Sequence, residues 1–116
     1  MTARPNEIRD ISGLPVFFQL ACQMAARLRY GSLRFVLPDG RSLLFSGALE
    51  PQSEGVILVR DFEFARRSVL GGDIGFFESY ADGQWDSPSV TDVLYIFARN
   101  ADFVKDAFSK TPLIAF

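Results

Sequence analysis

The chain has no histidine and a single cysteine, Cys22. One thiol cannot close an internal disulfide, which fits a reducing compartment. Without histidine, neither a Ser-His-Asp nor a Cys-His arrangement can be assembled from this chain. The common zinc ligand sets fail for the same reason. Long apolar runs are also missing, so no segment reads as a membrane-spanning helix. Residues 1–10 are polar and mixed in charge, without the apolar stretch of a signal peptide. The expected compartment is therefore the cytoplasm. Internal repeats and low-complexity tracts are absent. A net charge of −2 lacks the basic footprint of a nucleic-acid binder.

What is abundant is phenylalanine, with 12 in 116 residues, enough for one domain. Burying one such side chain is worth roughly 1.5–3 kcal/mol, so most of them need cover from core, partner or lipid. Charge is uneven along the chain. Residues 1–70 hold nine Lys/Arg and seven Asp/Glu, a balance of +2, and residues 71–116 hold three and seven, a balance of −4. Solvated faces explain this most simply, with internal pairing of the two parts as the alternative.

Taken in order, residues 1–12 read as a loosely docked arm, 13–110 as the core and 111–116 as an apolar tail. Leu14, Phe17, Phe18, Ala21, Met24, Ala25 and Leu28 fall on one helical face. Ser12 or Gly13 precedes that helix, Pro15 suits its first turn and Gly31 is placed to end it. Cys22 lies within it and reads as a small core hydrophobe. Residues 32–46 form a β-hairpin pattern around Asp39-Gly40. A two-residue type I′ turn would place Leu33, Phe35, Leu37, Ser42, Leu44 and Ser46 on one face. Arg34, Val36, Pro38, Arg41, Leu43 and Phe45 would share the other. Neither face is cleanly polar, so the second face is expected to meet another element, a partner or an acyl chain.

Residues 47–55, with Pro51 and Ser53, read as a loop. Val56-Ile57-Leu58-Val59 is a short central strand. A helix capped by Asp61 follows, with Phe62, Ala65, Val69 and Leu70 on its apolar side. Gly71-Gly72 ends it, a second short helix covers 74–81, and Asp82-Gly83 stops that one. Ser87-Pro88 marks a final helical start, and Ser89 with Asp92 forms a competing capping pair. Val90, Val93, Leu94, Phe97 and Ala98 make the first face of that region. Arg99-Asn100 bends or breaks it, and Phe103, Val104, Ala107 and Phe108 make the next face.

Residues 71–86 carry four of the nine glycines, the only tryptophan and four acidic residues. Gly71-Gly72-Asp73-Ile74-Gly75 lacks the spacing of a phosphate-binding loop and follows a helix, so a tight helix–helix corner is the better reading. Asp73, Glu78, Asp82 and Asp86 read as caps or as partners of Arg66 and Arg67, ahead of a metal or acid–base role. Tyr80 and Trp85 suit either the core or an interface.

In this segment the chain resembles the N-terminal domain of cyclopropane-fatty-acyl-phospholipid synthases. The resemblance runs through Arg29-Tyr30-Gly31-Ser32-Leu33, Leu37-Pro38-Asp39-Gly40 and Phe64-Ala65-Arg66-Arg67. It continues through Gly71-Gly72, residues 75–88 and Leu94-Tyr95-Ile96-Phe97-Ala98-Arg99-Asn100. It covers about residues 25–100. Its hallmark positions are Gly71, Gly72, Gly75, Glu78, Tyr80, Asp82, Gly83, Trp85 and Asp86. Phe77 departs from the pattern, standing where the family more often has a small residue. The resemblance implies an α+β fold similar to sterol-carrier-like lipid-binding domains. A small antiparallel sheet, a hairpin plus at least one more strand, would pack with N- and C-terminal helices.

The resemblance also implies a non-catalytic accessory role beside an S-adenosylmethionine-dependent methyltransferase domain, handling lipid or docking that domain. The family's catalytic and cofactor residues lie in the second domain, so none carries over. The expected chain is thus no enzyme by itself and needs no cofactor or metal. Its expected partners are a phospholipid or fatty acyl chain, a methyltransferase domain in cis or trans, or a second copy. It would work in the cytoplasm, peripheral to the inner membrane face. Candidate contacts are Phe17, Phe18, Val36, Leu43, Phe45, Tyr80 and Trp85. Arg34, Arg41, Arg66 and Arg67 are candidates for anionic headgroups. The competing reading is a structural protein–protein module, closing a homodimer or domain interface without lipid.

Overall fold

The computed structural model describes residues 2–3 and 13–101, with residues 2–3 and 50–52 described by their backbone alone. The elements run β1 (Thr2–Ala3), α1 (Val16–Ala25), β2 (Tyr30–Val36), β3 (Ser42–Ser46) and β4 (Leu49–Val59). They continue with α2 (Glu63–Ala81), β5 (Trp85–Asp86) and α3 (Val90–Arg99). The fold is α+β: three helices pack on a small sheet of order β1-β3-β2-β4-β5. Within the arm, Thr2–Ala3 pair in parallel with β3. The last apolar face (Phe103, Val104, Ala107, Phe108) and the tail lie outside the described residues.

The sheet is mixed where an antiparallel one is expected. β2 and β3 are antiparallel, but β4 lies parallel to β2 on its other side. The segment expected as a loop over 47–55 is mostly strand. It reaches β4 by crossing the start of β2, where the N–H of Gly47 donates to the Gly31 carbonyl at 2.8 Å and that of Leu49 to the Arg29 carbonyl at 2.9 Å. A Cβ on Gly47 would overlap the Arg29–Tyr30 peptide, so only glycine lets the chain pass there. The pairing then breaks register, Tyr30 facing Leu49 but Ser32 facing Glu54. Pro51, which has no N–H to give, falls in that irregular stretch. Gly31 therefore does not stop α1. It sits inside β2 with φ 69° beside the irregularity.

The hairpin register also differs from expectation by one residue. Leu33 faces Phe45 and Phe35 faces Leu43. The type I′ turn needs positive φ at both central residues, and here only Gly40 has it, at 94°. The Leu37 N–H donates to the Arg41 carbonyl and the Gly40 N–H to the Leu37 carbonyl, so Pro38-Asp39-Gly40 form a three-residue loop. A slip of one turns every β3 side chain over. Leu43 and Phe45 thus join Leu33, Phe35 and Leu37 in the core, while Ser42, Leu44 and Ser46 join Arg34 and Val36 outside. The corrected faces alternate more sharply than the expected ones.

All three helices reach the inner face. Phe18 of α1 meets Phe35 edge-on at 5.3 Å, Phe64 of α2 lies 6.3 Å from the same ring, and the Val93 backbone of α3 approaches Gly55 of β4. Phe18, Cys22, Phe45, Phe64, Ile57, Val93 and Ile96 are fully covered. α1 begins after Pro15, which stands at its N-cap, and buries Phe18, Cys22 and Ala25, with Phe17 packed against the core edge. α3 begins at Ser89, whose hydroxyl accepts the Asp92 N–H at 3.3 Å, so that capping pair prevails over Ser87-Pro88. Its inner face is Val93, Ile96 and Asn100 with Phe97 half-buried, and Leu94 and Ala98 point outward against expectation. The close seat of Val93 on Gly55 sets that rotation.

Candidate interaction site

The corner over residues 71–86 forms as its glycines demand. Gly72 takes φ 61° and ψ −142°, which kinks α2, and Gly83 takes φ 77° after its end. Gly75 sits against the Arg67 carbonyl, where a Cβ would overlap it, so the two halves of α2 cross tightly. Gly71 is exposed, with nothing near its missing Cβ. Arg67 ties the halves together, donating to Asp82 at 2.8 Å and lying 3.9 Å from Glu78. The expected pairing of these carboxylates with Arg67 is what the structure shows, whereas Arg66 pairs with Glu63. Asp86 binds Arg60 at 3.2 Å and accepts the Ser87 N–H at 2.8 Å.

Trp85 is the corner's inner anchor, only 1% exposed. Its indole stacks on Phe76 at 4.3 Å and meets Tyr80 at 4.8 Å. Its Nε1–H donates to the Phe76 carbonyl at 3.1 Å and to Ser79 Oγ at 3.2 Å. Ser79 Oγ in turn donates to the same carbonyl at 2.6 Å. Phe76 reaches Phe97 edge-on at 5.0 Å, so the corner is tied to α3 as well.

Among the contact candidates, Phe18, Leu43, Phe45 and Trp85 face inward and Phe17 is half-buried. Val36 lies on the outer sheet face with Leu44, Val56 and Leu58, all half-buried. Arg34 stands amid them on the central strand, between Leu44 and Val56. Its guanidinium meets Glu54 at 3.2 Å and Ser42 Oγ at 3.4 Å. Arg41 pairs with Asp39 at 2.9 Å, and the Arg41 N–H with that guanidinium holds the Asp39 carboxyl below its usual range. All four candidate arginines are thus matched by a carboxylate. Cys22 is buried, and that burial pushes its thiol up to about 12, so it is a poor nucleophile. Among the described residues no group of acids and cysteine is arranged to hold a metal, and no helix is long and apolar enough to cross a membrane.

The structure adds two residues that the reading of the sequence did not name as contacts. Ile74 is 72% exposed and Phe77 47% exposed, on the solvent side of α2 after its kink. With Ala81 they recur at i, i+3 and i+7, opposite the buried Gly75, Phe76 and Ser79. That spacing, apolar on both sides of one short helix, is the signal by which they were detectable. Tyr80 flanks them, more than a third exposed at its rim.

The chain is similar to the tuberculostearic acid methyltransferase UfaA1 of Mycobacterium tuberculosis, 39% identical over 70 residues. The match covers 60% of this chain but only 16% of that protein. No family model matches the chain, and no solved structure matches it significantly. The region is thus related to part of a lipid methyltransferase.

Proposed function

We propose that the chain is a non-catalytic accessory domain of a lipid methyltransferase system, acting beside an S-adenosylmethionine-dependent catalytic domain. The observation that carries this reading is the 39% match to the mycobacterial enzyme, confined to 16% of its length. The side chains agree with it. The one thiol is buried and raised, and Glu78, Asp82 and Asp86 are engaged by Arg67 and Arg60. The outer sheet face suits an acyl chain: Val36, Leu44, Val56 and Leu58 offer apolar contact around Arg34. The arginine stem adds apolar surface while its head meets a charged group.

Native mass spectrometry of the purified chain, with extraction of bound lipid, tests the lipid-handling half of this reading. A monomer carrying phospholipid or fatty acid supports it, and Val36→Asp should strip that lipid. A chain that stays empty after incubation with oleoyl phospholipid rejects lipid handling and leaves only docking.

A further inference from the structure

The solvent side of α2 beyond Gly72 is built the wrong way round for a helix that faces water. Its centre is Ile74, Phe77 and Ala81, all exposed, and its rim holds Asp73, Glu78 and Tyr80. Between residues 73 and 82 there are three acids and no Lys or Arg. Arg67, reaching in from the first half of α2, offsets part of this charge at Glu78 and Asp82. A helix face of this kind is ordinarily polar. An apolar centre that no described residue covers, with a charged rim, is the anatomy of a protein contact.

The shape and charge choose among the occupants. The face is the convex side of a single helix, so it cannot enclose an acyl chain. An anionic bilayer would be repelled by Asp73 and Glu78. Two copies meeting through this face would bring like charges together, which disfavours a homodimer. What fits is a surface that is apolar at its centre and basic at its rim.

We propose that the Ile74–Phe77–Ala81 face docks the chain onto a protein surface of that chemistry, carried by the methyltransferase with which it works. This inference rests on the accessory reading above and names the face that reading would use. Phe77 is the anchor, since an aromatic at the centre of a small patch contributes most to binding. Asp73 steers the encounter, so association weakens as salt rises.

The test is association of the intact chain with the mycobacterial methyltransferase from which the matched segment has been deleted, shown to remain folded, so that its own counterpart does not fill the surface, followed by sedimentation at low and physiological salt. Ile74→Ser/Phe77→Ser should weaken binding at least about tenfold while the chain stays folded with only a small drop in melting temperature, because Ile74 is 72% exposed and Phe77 gives up little beyond its contact with the Phe76 ring. Asp73→Lys should weaken it by a smaller factor and flatten the salt dependence. A complex that survives the double substitution overturns the assignment of the face and leaves the accessory reading standing. No complex with the unsubstituted chain overturns both the docking face and this partner. Self-association, or binding to anionic vesicles, that the double substitution abolishes would show a different occupant and overturn the proposal.

Discussion

Asn100 holds both main-chain polar groups of Tyr30. Its Oδ1 accepts the N–H of Tyr30 at 3.1 Å and that of Arg29 at 3.0 Å. Its Nδ2 donates to the Tyr30 carbonyl at 3.1 Å and to the Ile96 carbonyl at 2.7 Å. One buried carboxamide therefore fills its whole hydrogen-bonding capacity. It fastens the end of α3 to the start of β2, where the chain also crosses from β3 to β4. The Arg99 guanidinium lies over the Tyr30 ring at 4.7 Å and closes the same junction.

Asn100→Leu should therefore unfold the domain far more readily than its size suggests. Each buried polar group left without a partner costs about 1–3 kcal/mol, and several are left. Asn100→Asp keeps the acceptor but turns a carboxyl toward two carbonyls. The Arg29 and Tyr30 N–H groups favour the carboxylate, but burial and the two carbonyls facing its other oxygen oppose it more strongly and raise its folded pKa. Its stability should then fall as pH rises through the carboxyl range, and urea melts at acid and neutral pH should show it. A neutral Asn100→Leu, or an Asn100→Asp insensitive to pH, would show that the junction is not held this way.

Trp85 should tolerate loss of its N–H better than loss of its ring. Trp85→Ala removes the stack on Phe76 and should cost about 3–5 kcal/mol, enough to unfold a marginal domain. Trp85→Phe retains most of the packing, and Ser79 still donates to the Phe76 carbonyl, so about 1–2 kcal/mol is expected. Thermal melts of the two variants give the comparison, and equal losses would shift the weight to the hydrogen bonds.

The glycines of the corner should separate by a single added methyl. Gly71→Ala meets nothing and lies in ordinary helical backbone, so it should stabilise by up to about 0.5–1 kcal/mol. Gly72→Ala forces an alanine into the conformation at φ 61°, ψ −142°, at a cost of about 1–3 kcal/mol. Gly75→Ala should be the worst, since its methyl overlaps the Arg67 carbonyl. Any other order in denaturation midpoints would contradict the kink.

Cys22 should resist alkylation in the folded chain and react freely once denatured. Burial raises its thiol from 9.0 to about 12, so the folded state holds that proton more tightly than the unfolded state does. Its contribution to stability is complete below pH 9 and is lost as pH rises toward 12. The stability gap between the natural chain and Cys22→Ala should accordingly narrow through that window. Fast labelling under native conditions would mean the helix opens locally.

The helix corner was legible in the sequence because Gly71-Gly72 follows a helix without phosphate-loop spacing, which favours a turn between helices. The pairing of Glu78 and Asp82 was legible as far as an arginine partner, with Arg66 and Arg67 both candidates. The Cys22 helix was legible from its spacing alone. β4 was not, because Pro51, Ser53 and Gly55 imitate a loop when the partner strand is unknown. The hairpin register failed on one backbone angle: Asp39-Gly40 suits a two-residue turn, but Asp39 keeps negative φ. The outward turn of Leu94 depended on Gly55, which lies far away in sequence. Phe77 was noticed only as a departure from the family pattern and Ile74 not as a contact residue, because which side of that short helix faces out depends on how it packs.

The most direct test of the accessory role is to exchange the matched segment of the mycobacterial methyltransferase for its counterpart here and measure tuberculostearic acid formation. The account predicts that the chimera keeps activity within about tenfold of the parent, well above a parent from which the segment is deleted, since an accessory segment 39% identical to the one it replaces should preserve positioning of the reacting groups. A folded chimera no more active than that deletion variant would contradict it.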